Sequence, residues 1–276
     1  MTSGQVILLI AGVVITAATY LYAPLLSPEK GNPEHAVSAT AKSDFDFEAY
    51  KAEELKKLPA EEMEKYERMQ GVLATANDKS SALNEIALLL EANKLNLAAA
   101  FARKEAAALS NIDTVWTKAA KNLYSNAFNT DNQSLMQYVI SQAIACYEKA
   151  LDLNPENTDA KINMAVAYLE GQTEPMKGVM LLREITDKDP DNITANLILG
   201  KYGIVSGQFD KAVQRLQKVL SVDSLNMDAY LYLAEAYEGM GDKAKAIEAL
   251  EKCKTLVEDS GFSNEISNYI EKLKNS

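Results

Sequence analysis

The chain has 276 residues, 47% of them hydrophobic, which is enough apolar material for one or two packed domains and argues against a disordered chain. Its 28 Lys and Arg stand against 39 Asp and Glu, a net charge of −11, so repulsion from phosphate backbones argues against nucleic acid as a partner. Two cysteines, Cys146 and Cys253, are too few for a disulfide framework, and each falls on a helical pattern where a small apolar residue belongs.

No charged side chain occurs between Met1 and Pro28, and Val6 to Leu26 is almost continuously apolar. About 20 such residues let a helix cross the hydrocarbon core of a bilayer. Tyr20 and Tyr22 fall near one end, where aromatic side chains favour the interface, and Pro24 suits the exit turn. Residues 1–26 are therefore expected to be a membrane anchor. A cleaved signal peptide is the alternative, but such a leader ordinarily has a basic start, and no Lys or Arg precedes Val6. No Cys follows the apolar run, which removes lipid attachment through a lipobox-type cysteine. Lys30 and Lys42 follow the run and none precedes it. By the positive-inside bias this places the C-terminal part in the cytoplasm, with the periplasm as the alternative.

Residues 27–45 contain Pro28, Gly31 and Pro33 among Ser, Thr and Ala without periodic apolar residues, which reads as a flexible tether. From there helix formers dominate. Pro59 is placed to open a helix, giving helices near 46–58 and 59–76, the second with mixed charges at helical spacing that read as a solvated face. Further helices are expected near 80–92 and 95–110, and no segment shows the alternation of a strand.

The remainder repeats. Ala143, Gly178, Ala212 and Ala246 form a column at steps of 35, 34 and 34 residues. Tyr147, Leu182, Leu216 and Leu250 form a second, and Ala150, Ile185, Val219 and Cys253 a third. Upstream in each unit stand Met164, Leu199 and Leu233, followed by the small residues Ala165, Gly200 and Ala234. Gly207 and Gly241 mark turns, Pro155 and Pro190 close two of the units, and Ser224 and Glu258 stand in the proline column of the others. An Ala or Gly where two helices cross lets their axes approach to about 8 Å.

These columns resemble the tetratricopeptide-repeat (TPR) family, whose 34-residue unit is a helix-turn-helix. The resemblance implies an all-α fold in which an N-terminal transmembrane helix precedes a TPR superhelix. Its parts are a helical region over 46–112 with a degenerate TPR-like unit carrying Leu83, Ile86, Ala87 and Leu90, and an interrupted repeat over 113–157. Repeats then cover 158–192, 193–226 and 227–260, and an amphipathic capping helix, 261–276, carries Ile266, Tyr269, Ile270 and Leu273. In the interrupted unit Trp116, Ala119, Ala120 and Leu123 match a first helix, but 23 residues separate Ala120 from Ala143 where 12 separate Gly200 from Ala212, a surplus of 11. That surplus is expected either to lengthen the helices or to add a loop.

The chemical inventory excludes the common enzymes. The single histidine, His35, lies in the tether, so nucleophilic systems built on His and His-based zinc sites have nothing to use. No phosphate-binding glycine motif or zinc-protease motif occurs, and Asp187, Asp189 and Asp191 fall in an inter-repeat turn where Asp caps helices. No catalytic residue, cofactor or metal is expected.

What the resemblance implies is recognition. First-helix positions on the concave side of a TPR superhelix include Ile162, Val166 and Leu169, then Leu197 and Lys201, then Leu231 and Glu235, and these form the expected protein-binding groove. The Lys and Asn pair that grips a peptide carboxylate in some TPR domains is absent, which favours a segment with apolar anchors and some basic residues. Plain inter-repeat packing is the alternative for Ile162 and Val166, and core filling for Met164, Met176 and Met180. One apolar span followed by TPRs also resembles bacterial translocon-ancillary proteins and cytochrome c maturation subunits. That implies a scaffold, chaperone-like or an assembly factor, at the bacterial inner membrane; a homo-oligomeric spacer is the alternative.

Overall fold

The structure is a computed structural model describing residues 45–171 and 174–275, which form thirteen helices and, among those residues, no strand. The helices are α1 (Phe47–Leu55), α2 (Ala60–Thr75), α3 (Lys79–Ala92), α4 (Asn96–Ala107), α5 (Asp113–Ala127), α6 (Gln133–Leu153), α7 (Thr158–Glu170), α8 (Pro175–Lys188), α9 (Ile193–Val205), α10 (Phe209–Val222), α11 (Met227–Gly239), α12 (Lys243–Thr255) and α13 (Ser260–Asn275). They divide into two compact units that part between Leu181 and Leu182, within α8.

The expected localisation at the bacterial inner membrane is corrected: no helix among the described residues is long and apolar enough to cross a membrane. Residues 1–26, on which the anchor was read, and the tether up to Asp44 lie outside the described residues.

In the first unit α3 packs on α4 and α5 on α6 as antiparallel-type pairs with short connections. One cluster joins Leu58 and Tyr66 to Ile86, Ala87, Leu90, Leu95 and Ala99; another joins Phe47 and Phe101 to Leu123, Val139, Ile140, Ala143, Tyr147 and Tyr168. Pro59 is the N-cap residue of α2 rather than its first helical residue, with φ −56° and ψ 150°. The surplus of the interrupted repeat resolves mostly as helix: α6 runs for 21 residues where α8 and α10 have 14, and the rest goes to a longer α5 and to the connection between them. Gly178 explains itself at the crossing with α7, because a Cβ there would lie 2.6 Å from the Ala165 carbonyl oxygen and 2.7 Å from Leu169.

In the second unit α9 pairs with α10 and α11 with α12, and α13 closes the end. The columns Ala212, Leu216, Val219 and Ala246, Leu250, Cys253 are sealed in one core, where each Leu contributes on the order of 2 kcal/mol by leaving water. Ile266, Ile270 and Leu273 of α13 lie on the same core, covering the apolar face of the last pair.

Local chemistry sets where the helices start and stop. Asn157, Asn192 and Asn226 each accept a hydrogen bond from the backbone N–H three residues on, at 2.9, 3.0 and 3.0 Å, capping α7, α9 and α11. After α9 and α11 the chain turns through Gly207 (φ +70°) and Gly241 (φ +77°), conformations that cost a side-chain-bearing residue energy. The bonds Gln208 N–H to Gly203 O (2.7 Å) and Asp242 N–H to Tyr237 O (2.9 Å) close these turns. The α3–α4 connection has the same geometry, with Leu95 N–H bonded to Leu90 O at 2.9 Å, but the left-handed position is Lys94 at φ +64°.

Candidate functional site

The seven groove residues fall on three first helices, and the two units are taken separately. In the first unit Ile162 and Val166 of α7 are half-buried, with part of each side chain open. Leu169, the third residue of that set, is only 4% exposed and packs toward the bare backbone of Gly178. It offers no open surface: the missing side chain at 178 lets it insert into the crossing. Near this face α5 and α7 are tied by Lys121 to Asp159 at 2.7 Å and by the Tyr124 hydroxyl, which donates to Glu170 at 2.8 Å. Asp159 also accepts from Asn163 at 2.9 Å.

In the second unit Leu197 and Lys201 of α9 and Leu231 and Glu235 of α11 are all half-buried. The same two helices bury Ala195, Ala229, Leu233, Ala234 and Ala236, so the half-open residues form a separate stripe from the sealed ones. Leu197 and Leu231 are 34 residues apart and hold the same place in successive repeats, as do Lys201 and Glu235.

The electrostatics of this stripe centre on Glu235. Burial, then the neighbouring Glu238 carboxylate, push its carboxyl up to about 7, while Lys201 opposes the shift. Glu238 accepts a hydrogen bond from the Tyr269 hydroxyl of α13. Burial first, then that bond and the two Glu charges, raise the Tyr269 hydroxyl above its ordinary value. Lys201 lies over the Tyr202 ring, 5.5 Å from its centroid. The result is a partly apolar surface with one cation and two carboxylates, suited to holding a side chain rather than to moving a bond.

Glu238 and Tyr269 were not among the sequence-derived site residues. Glu238 lies one turn from Glu235 on the same helix, so its membership was readable from spacing; Tyr269 appears only once α13 folds back. The capping asparagines Asn157, Asn192 and Asn226 were also readable, being spaced by 35 and 34 residues like the core columns.

The acidic turn is occupied by its own backbone. Asp189 accepts from Asp191 N–H at 3.2 Å and from the Asn192 amide at 3.3 Å, and Asp191 pairs with Lys218. Among the described residues no group of three or more His, Cys, Asp or Glu side chains is placed to hold a metal ion. Both cysteines are buried, and burial pushes each thiol up to about 11, which keeps them protonated and unreactive at neutral pH.

Comparison with known proteins agrees with the columns. Family models described as tetratricopeptide repeat match residues 204–253 and 140–157. Over 126 residues the chain is 30% identical to the Superkiller complex protein 3 of Homo sapiens, a stretch covering 45% of this chain and 8% of that much longer relative. Among solved structures, a tetratricopeptide repeat protein from Parabacteroides merdae superposes with a TM-score of 0.55 at 17% identity, covering 76% of this chain and 79% of that one. PilW, a type IV pilus biogenesis factor, gives 0.55 at 18% identity, covering 72% and 88%. MamA from Desulfovibrio magneticus gives 0.52 at 18% identity, covering 65% and 95–96% across its forms. These likenesses establish the fold.

Proposed function

We propose that this tetratricopeptide-repeat chain is a non-catalytic scaffold that holds a segment of another protein on the first-helix faces of its repeats. Leu197, Lys201, Leu231 and Glu235 form the principal patch, in the second unit, and Ile162 and Val166 a smaller one in the first. The observation that carries this reading is that Leu197 and Leu231, at the same place in successive repeats, are both half-open while Ala195, Ala229, Leu233, Ala234 and Ala236 of the same helices are sealed. Both leucines pack in part on the core and leave the rest of their apolar surface, at repeat-spaced positions, for something else to cover. The flanking carboxylates Glu235 and Glu238 favour a segment that brings a basic side chain beside its apolar anchors. A role as assembly factor or chaperone-like holder follows from gripping a chain without altering it.

The test is the double variant Leu197→Asp/Leu231→Asp. In-cell crosslinking with mass spectrometry identifies the partners of the unsubstituted chain, and the variant is expected to lose them while keeping its helical circular dichroism. Retained crosslinks would remove the patch from the mechanism, and loss of the helical signal would make these leucines core.

A second reading, a homo-oligomeric spacer, draws on Val72 of α2 and Leu88 of α3, each 60% exposed. Light scattering decides it: a monomer at all concentrations ends that reading.

A further inference from the structure

The start of α1 is fastened to the first unit by rings. Phe47, 6% exposed, stacks on Phe101 of α4 with centroids 3.7 Å apart. Phe101 in turn lies parallel to Tyr138 of α6, at 5.9 Å and 3°. Phe47 and Phe45 both reach Tyr138, at 5.8 and 5.7 Å. Lys104 borders this slot, its ammonium 5.7 Å from the Phe101 centroid and bonded to Gln142. Tyr138 belongs to the stretch, 124–141, in which the interrupted repeat exceeds its neighbours. The extra turns of α6 therefore supply one wall of the slot.

The occupant is a self-contained element. Asp46 accepts from Ala49 N–H at 2.9 Å and caps the helix it begins. Phe45, just before the cap, meets Tyr50, four residues after it, with ring centroids 6.0 Å apart, the arrangement of a hydrophobic staple. Six residues, Phe-Asp-Phe-Glu-Ala-Tyr, thus fold their own helix start and present Phe47 to the slot. At the far end of α1, Leu55 packs against the Leu58 and Tyr66 cluster, while the ion pairs there, Lys56 with Glu53 and Lys57 with Glu54 at 2.5 Å, stay local.

We infer that the Phe101–Tyr138 slot is a docking site for a Phe-acid-Phe helix start, filled in cis by residues 45–50 and open to exchange with a segment of the same chemistry on a partner protein. Charge agrees with that choice: Lys104 at the rim suits a motif with a carboxylate, Asp46 and Glu48, on each side of its buried ring. This site is separate from the first-helix patch and does not depend on it.

The test uses the full chain and a fluorescein-labelled peptide of residues 43–52. With Phe47→Ala emptying the slot, the peptide is expected to bind, about tenfold or more tighter than to the unsubstituted chain, whose own segment competes. A peptide with both Phe replaced by Ala is expected not to bind, and Phe47→Ala/Tyr138→Ala is expected to lose binding. Absence of binding to Phe47→Ala, or equal binding to both chains, overturns the proposal. Hydrogen exchange on the unsubstituted chain tests it without any substitution. Amides of α1 are expected to open independently, at least about a hundredfold faster than those of α6; equal protection would make α1 an inseparable part of the unit and overturn the proposal.

Discussion

The regular repeats of the second unit and the interrupted repeat of the first solve one packing problem with different means. In the regular pairs every turn is a glycine with positive φ, every second-helix column is Ala, Leu and a small apolar residue, and both second helices have 13 or 14 residues. In the first unit the α3–α4 turn is Lys94, and in the interrupted repeat the Leu position is Tyr147 and the second helix reaches 21 residues. Glycine spares the regular half a strained turn, whereas the first unit tolerates one at Lys94 and makes its extra surface elsewhere, along α6. The slot walled by Tyr138 is part of that surface.

The largest expected effect comes from breaking what both halves share. Ala234 and Ala120 hold the same crossing position and are buried, so Ala234→Trp is expected to cost 3 kcal/mol or more, by about the upper range for overpacking, and to unfold the second unit. Ala120→Trp should do the same to the first. An unchanged melting temperature in either would overturn the register.

Next is acid–base behaviour near neutral pH, which centres on Glu235 in the regular half. The folded value of about 7 for Glu235 lies above the carboxyl's ordinary 4.5, so its contribution is present in full below about 4.5 and is lost as pH rises toward 7. Stability of the second unit is expected to fall by on the order of 2 kcal/mol between pH 5 and 7.5. Glu235→Gln should flatten that dependence; denaturant titrations at the two pH values measure it.

Smaller effects sharpen the contrast. The Tyr147 hydroxyl is buried without a hydrogen-bond partner, unlike the Leu side chains at its counterpart positions. Tyr147→Phe is therefore expected to stabilise the first unit by about 1 kcal/mol, seen as a raised melting temperature. Lys94→Gly should add about 0.5–1 kcal/mol by removing a left-handed lysine; a loss of stability there would mean that the side chain does more than occupy the turn.

Legibility in the sequence followed periodicity. The helical class, the crossing column and the cap Ile266, Ile270, Leu273 were readable because each depends on spacing within a repeat. Leu169 was misplaced, since its helical position put it on the open face while a bare backbone nine residues later drew it inward. The turn at Lys94 was legible as the gap between the helices expected at 80–92 and 95–110, but its left-handed geometry was hidden because the usual marker, glycine, is missing. The slot was unreadable for another reason. Phe47 and Tyr138 are 91 residues apart, belong to no shared column and meet only after α4 and α6 are in place.

The asparagine caps decide which ends fray first in acid. Asn157, Asn192 and Asn226 hold their helices with neutral amides, so protonation takes nothing from them. Asp78 and Asp242 cap α3 and α12 as carboxylates whose values sit below the usual range, through the bonds to Ser81 for one and to Lys245 for the other. Their contribution is present above the ordinary carboxylate range and is lost as pH falls through the lowered values. On acidification, then, α3 and α12 loosen at their beginnings while α7, α9 and α11 keep theirs, and the helices bearing the proposed recognition patch are the last to lose their starts.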